Sequence, residues 1–201
     1  SDSLDLNSWN HVAAVRSGTG SNNVSLYVNG ARKAQGTNTG TMGSSSNNRI
    51  GSYSGTTGEY DGYMCDLRLL VGTALYSGTT YTIPTAPLTA ITNTKLLLNM
   101  KDGQAIDSAA QNNLTLIGNT DTSTGQAKFG NTSLFYDGSG DGAYYENGAA
   151  LGTGDWTIET FLWVNDFDAN LGVFQYGGAD GALGSLVLTN QKIRVVSSNV
   201  A

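Results

Sequence analysis

The densest run of potential ligand atoms in the chain is Asp137-Gly138-Ser139-Gly140-Asp141-Gly142. Two carboxylates around three flexible residues can wrap a hard cation with help from backbone carbonyls. No Glu closes the run, so it is not an EF-hand loop. The same residues also read as a plain Asp-Gly hairpin turn. His11 is the only histidine, so within one chain neither a His-rich zinc site nor a histidine dyad can form. Cys65 is the only cysteine, which excludes an internal disulfide. It alternates with Tyr63 and Leu67 on an apolar face, the pattern of a small buried hydrophobe rather than a reactive thiol.

Aromatic rings offer the second kind of chemistry. The apolar face of a sugar packs on a ring while its hydroxyls need polar partners. Tyr53, Tyr60, Tyr144, Tyr145 and Trp156 stand next to turns and are read as a carbohydrate platform; Trp9, Trp163, Phe161 and Phe174 are read as core. Tyr144 and Tyr145 are adjacent, and neighbours on a strand face opposite ways, so at most one of them lines a given surface.

The elements that must position these residues are strands. Residues 9–16 place His11, Ala13 and Val15 on one face, and Val24, Leu26 and Val28 alternate with Ser25, Tyr27 and Asn29. Asn29-Gly30 is a type I′ turn dipeptide, and Ala31 to Ala34 form the return strand of a hairpin. Residues 36–46 read as a loop, and 48–53 and 63–69 as strands. Further strands are expected over 96–100, 114–117, 133–136, 157–164, 173–176, 186–188 and 193–196. The strand over 157–164 is apolar on both faces, which predicts a place in the middle of a sandwich. Residues 76–94 hold both prolines and many Thr, the composition of an extended connector and the best boundary in the chain.

Composition supports an all-strand chain. It has 27 Gly, 23 Thr, 19 Ser and 19 Asn among 201 residues, which rules out a helical bundle. It is nevertheless 39% hydrophobic with 18 aromatic residues, enough to build a core. The fold class is all-β, an antiparallel β-sandwich. A net charge of −6 with scattered Lys and Arg argues against nucleic acid as a partner. No apolar run approaches the roughly 20 residues that span a bilayer, so no membrane segment is expected. The chain starts at Ser1 without Met or a signal peptide, which reads as a processed product, an expressed fragment or a stretch of something longer.

Several segments together resemble the laminin-G-like, concanavalin-A-like jelly-roll family. Its C-terminal half is matched by Trp9-Asn10-His11-Val12-Ala13, Leu26-Tyr27-Val28-Asn29-Gly30, Ile50-Gly51 and Tyr60-Asp61-Gly62-Tyr63-Met64-Cys65-Asp66-Leu67-Arg68. Its N-terminal half is matched later, by the run from Lys128 to Gly138 and by Gly154-Asp155-Trp156-Thr157-Ile158-Glu159. Residues 1–82 therefore look like the second half of such a sandwich, 83–93 like a linker, and 94–201 like the first half. Three explanations account for that order: circular permutation, a cut through a tandem array, and strand sharing with a neighbouring copy. The tandem-array cut is the favoured one. The connector, with Gly72-Thr73-Ala74-Leu75-Tyr76 and Ile83-Pro84-Thr85-Ala86-Pro87-Leu88, resembles linkers of tailed-phage tail and fibre proteins.

The resemblance carries expectations. It implies a non-catalytic module on a virion surface or extracellular structure, acting in adhesion to a glycan or cell-surface polysaccharide. It makes His11 a structural residue of the Trp-x-His strand. Sandwiches of this kind often hold calcium near one edge, which nominates Asp137, Asp141 and Asp66, although Cys65 stands where the family often has another Asp. The carbohydrate residues are expected to be Tyr144, Tyr145, Trp156 and Tyr60. The alternative is an assembly subunit whose partners are neighbouring copies or other structural proteins of the same assembly. A glycoside hydrolase ranks last. The family's glucanases use Glu-x-Asp-x-x-Glu, and Glu59-Tyr60-Asp61 continues into Tyr63 and Met64 instead of a second Glu.

Overall fold

A computed structural model describes residues 4–41, 48–54, 57–100, 114–146, 148, 150–167, 170–176 and 185–196. Side chains of Tyr53, Ser54, Thr57 and Ser185 lie outside that description, as does the part of the expected 36–46 loop beyond residue 41. The strands in chain order are β1 (Trp9–Arg16), β2 (Val24–Val28), β3 (Ala31–Gly36), β4 (Asn48–Ile50), β5 (Ser52–Ser54), β6 (Thr57–Glu59), β7 (Asp61–Val71) and β8 (Thr94–Leu98). They continue with β9 (Leu114–Ile117), β10 (Asp121–Ser123), β11 (Ser133–Asp137), β12 (Gly142–Tyr145), β13 (Trp156–Val164), β14 (Leu171–Gln175), β15 (Ser185–Thr189) and β16 (Lys192–Val196). No helix occurs among the described residues.

Two large antiparallel sheets face each other. One has the order β10-β11-β7-β13-β1-β2-β3, with β8 also paired to β7, and the other has the order β16-β15-β14-β4-β12-β9. A small β5-β6 hairpin stands beside them. The core between the sheets draws Val12, Met64, Leu134 and Leu162 from the first and Ile50, Ala143, Phe174 and Leu188 from the second. As its two-sided apolar pattern predicts, β13 is central, flanked by β1 and β7. The expected hairpin is present, with positive φ at both Asn29 (49°) and Gly30 (77°).

Strands from 1–82 and 94–201 alternate within both sheets. In the larger sheet β7 lies between β11 and β13, and β13 lies between β7 and β1. Neither segment could bury its apolar face without the other, so the two pack as one sandwich. An irregularity in β7 lets it serve two neighbours on one edge. Asp66 takes a left-handed φ of 52°, β11 pairs residues 61–64, and β8 pairs residues 67–70.

Residues 72–93, which composition marks as a connector, are packed rather than free. They cross the outer face of the larger sheet as a strap. The strap is pinned by hydrogen bonds from Leu75 N to Thr157 Oγ1, Arg32 N to Thr79 O, Tyr81 N to Gly30 O and Leu88 N to Asp66 Oδ1. The linker expected over 83–93 is the second part of this strap, which as a whole joins β7, ending at Val71, to its paired neighbour β8, starting at Thr94.

Candidate functional site

Three arrangements contain groups with chemistry: a charged network under the strap and a row of rings on the outer face of the larger sheet, and an acidic pocket at its edge that Glu59 of β6 and Leu171 of β14 help to line. The network centres on Glu159, whose side chain is completely buried. Arg68 donates to its Oε1 through both Nε, at 2.7 Å, and Nη2. The Tyr76 hydroxyl donates to Oε2 at 2.5 Å, and His11 Nε2 lies 3.3 Å from the same oxygen. On its other side, His11 Nδ1 meets the Tyr81 hydroxyl at 2.7 Å, and the Tyr76 and Tyr81 rings stack with centroids 3.7 Å apart. Because the strap supplies both tyrosines, these groups fasten it to the sheet and are closed to a substrate. His11 itself is buried beneath the strap, between Glu159 and Tyr81.

Burial pushes the Glu159 carboxyl up, but the His11 hydrogen bond, the Arg68 charge and the Tyr76 hydroxyl together outweigh it, so it titrates below the ordinary carboxylate range. A carboxyl depressed in the folded state contributes its stability above the unfolded pKa, near ~4.3, and loses it as pH falls through the folded value. Urea midpoints will therefore drop as pH is lowered from about 5 toward 3. Glu159→Gln will flatten that part of the profile, and an unchanged slope in the variant would assign the acid sensitivity elsewhere.

Cys65 is buried, and burial, reinforced by Asp66, pushes its thiol up to about 12. It is an inert core residue, in agreement with its alternation in the sequence.

The proposed calcium ligands do not converge. Asp141 accepts hydrogen bonds from Asn119 N (2.9 Å) and Asp137 N (2.7 Å), and Asp137 accepts from Asn119 Nδ2 (2.8 Å) and Ser139 N (2.8 Å). These bonds are those of a carboxylate-braced turn. Asp66 is on a different part of β7, five residues from Asp61, the partner of Asp137, or about 16 Å along the strand. Its carboxylate is engaged by Leu88 N at 3.1 Å and by Asn99 Nδ2. Among the described residues, no group of three or more His, Cys, Asp or Glu side chains is placed to hold a metal ion. The structure does not bring the three expected calcium ligands together: Asp137 and Asp141 brace a turn, and Asp66 anchors the strap.

The expected sugar platform is corrected as well. Tyr60, Tyr145 and Trp156 are at most 1% exposed and belong to the core between the sheets. Strand parity, and not nearness to a turn, decides which way a ring points. Trp156 shares the inward face with Ile158, Leu162 and Val164. Of the two adjacent tyrosines, Tyr145 points inward, and the half-buried Tyr144 lies on the other sheet, opposite Arg49 and Thr115.

A different set of rings shares one surface. Trp9 pairs with Trp163, Trp163 with Tyr63, and Tyr63 with Phe135, so four aromatic residues stand directly opposite one another on β1, β13, β7 and β11. Residues directly opposite in a sheet project from the same face. All four are half-buried. Trp9 and Trp163 meet edge to face at 6.0 Å, and Tyr63 and Phe135 lie 4.9 Å apart. Trp9 and Trp163 are thus outer-face residues and not the core residues that the sequence suggests. Their face is settled only by the cross-strand register, and the break at Asp66 separates Tyr63 from Leu67, with which the alternation groups it.

The row has two borders. Along one side, residues two further along the same strands form a polar row, in which Asn165 Nδ2 donates to Asp61 Oδ1 at 2.9 Å and Asp61 faces Asp137. Beyond it opens a pocket of about 170 Å³ lined by Glu59, Asp61, Asp137 and Asp166. Along the other side, Phe129 packs edge-on against Phe161 at 5.1 Å, with Lys128 Nζ 5.4 Å above the Phe161 ring. At the β10 end, Asp121 stands opposite Phe135.

Residues 1–75 match a laminin G family model described as the concanavalin A-like lectin/glucanases superfamily. No curated protein and no solved structure matches the chain. The matched residues supply β1 to β7, including Trp9 and Tyr63 of the ring row, while Trp163 and Phe135 come from beyond the match. The described residues thus form an antiparallel β-sandwich, and its first 75 residues are similar to the concanavalin A-like lectin/glucanases superfamily.

Proposed function

We propose that the protein is a non-catalytic carbohydrate-binding module whose platform is the row Trp9–Trp163–Tyr63–Phe135. The observation that carries this reading is the register that lines up four half-buried rings on four adjacent strands. Stacked rings offer the flat apolar surface that the C–H face of a pyranose covers, and the bordering Asn165, Asp61 and Asp137 offer partners for its hydroxyls. Rings fixed on the strands of a sheet lose little freedom on binding, which favours affinity. Adhesion through a surface glycan is the use to which such a module is best suited.

The superfamily contains glucanases as well as lectins, and the pocket beside the row contains carboxylates. The one glutamate inside the sheet, Glu159, lies beneath the strap and is paired with Arg68, which supports the non-catalytic reading. The test is therefore double. Trp163→Ala and Tyr63→Ala will each weaken polysaccharide retention in affinity electrophoresis by about tenfold or more, the result of losing ~1.4 kcal/mol or more at a central aromatic contact. Incubation with the retained polysaccharide will release no reducing ends. Retention unchanged in both variants would end the platform reading, and released reducing ends would end the non-catalytic one.

A further inference from the structure

We infer that the ring row takes an extended oligosaccharide without acidic groups, lying across the strands and spanning several sugar units. The inference rests on the platform reading and deepens it in two respects, length and charge.

Length follows from strand spacing. The row crosses four neighbouring strands, β1, β13, β7 and β11, and strands stand ~4.8 Å apart, so its rings extend over about 14 Å. That is the reach of a short chain of sugars, whereas a single sugar would cover one or two rings and leave the rest in water. The polar row runs parallel to the rings along the same strands. A chain lying across the strands would thus meet apolar surface beneath it and hydrogen-bonding groups along one flank. A chain lying along the strands would leave the rings after one residue and run into the strap-side wall at Phe161 and Phe129.

Charge follows from the borders. Asp61 and Asp137 flank the row, Glu59 and Asp166 line the adjoining pocket, and Asp121 ends it, whereas the cation at its edge, Lys128, sits over the Phe129 and Phe161 rings. An ionised carboxylate only accepts hydrogen bonds, so its complement is a hydroxyl. A uronate or sulfate brought among these groups would meet like charges in a partly desolvated place. The whole chain, at −6, adds to that repulsion.

The experiment is a calorimetric titration of the 201-residue chain at pH 7 and low salt. The probes are the neutral hexaoses of β-1,4-glucan, β-1,3-glucan, α-1,4-glucan and N-acetylglucosamine, their disaccharides, and hexagalacturonate. At least one neutral hexaose is expected to bind ten times or more tighter than its disaccharide and than hexagalacturonate, with the binding weakened in Trp163→Ala. Trp163→Phe, which keeps a ring, should retain most of the affinity and guards against a folding defect. Equal affinities for disaccharide and hexaose would overturn the extended-chain part, and tighter binding of hexagalacturonate the charge part. In either case sensitivity to Trp163→Ala would leave the platform standing. Binding by no probe, or binding indifferent to both Trp163 variants, would overturn platform and inference together.

Discussion

Glu159→Ala will lower the unfolding free energy by about 3–5 kcal/mol, the usual result of removing one partner from a buried ion pair. Three donors lose their acceptor at once: the Arg68 guanidinium, the Tyr76 hydroxyl and the His11 ring. His11 and Arg68 cannot readily turn to water, since the His11 side chain is fully buried and that of Arg68 nearly so, whereas Tyr76 is half-buried. The loss will also reach the strap, because Tyr76 and the Tyr81 stacked on it are held through this carboxylate and through His11. Proteolysis within residues 72–93 should therefore accelerate along with the fall in urea midpoint. Glu159→Gln keeps an acceptor oxygen and should cost less than Glu159→Ala. A loss below about 1 kcal/mol in the alanine variant would mean that water or a rotated side chain replaces the carboxylate.

The second large effect is expected at Gly62. Its φ is 144°, and a Cβ there would lie 1.9 Å from the Trp163 carbonyl oxygen, an atom of the neighbouring strand's backbone. Backbone in the middle of a sheet cannot step aside as a side chain does, so Gly62→Ala must push β7 and β13 apart where they pair Gly62 with Val164. We expect a destabilisation of about 3 kcal/mol or more, combining the strained φ with the clash. Gly20→Ala is the control. No atom lies within 4 Å of the position its Cβ would take, and its midpoint should stay within about 0.5 kcal/mol of the parent. Gly62 sits between Asp61 and Tyr63, so any folded Gly62→Ala protein should also show a disturbed ring row. Wild-type stability in Gly62→Ala would show that the two strands separate more easily than their pairing suggests.

Much of the architecture is legible in the residues. Alternation locates β1, β2, β11 and β13, the Asn-Gly pair locates the first hairpin, and the doubly apolar β13 announces its central position. Where alternation is short or broken, that signal is lost. β6, β10 and β12 are three or four residues long, too short to show a period, and β12 begins at a glycine. The connector escapes for a different reason. Thr, Pro and Gly describe how the backbone bends and say nothing of what lies beneath it, and the sheet under residues 72–93 is assembled from distant parts of the chain.

The candidate site shows the same division. Composition and a two-residue period, both local properties, suffice for an all-β sandwich whose lone His and Cys build no reactive centre and whose available chemistry is rings and carboxylates. Which rings face outward together is settled at the level of the folded sheet. Trp9, Tyr63, Phe135 and Trp163 are scattered along most of the chain, and only the antiparallel register of β1, β13, β7 and β11 brings them into one line. A shift of one residue in any of those pairings would turn a ring to the opposite face. The same register buries Trp156 and closes Arg68, Glu159 and His11 beneath the strap, while the pairing of β12 with β4 and β9 places Tyr144 and the inward-facing Tyr145 in the other sheet.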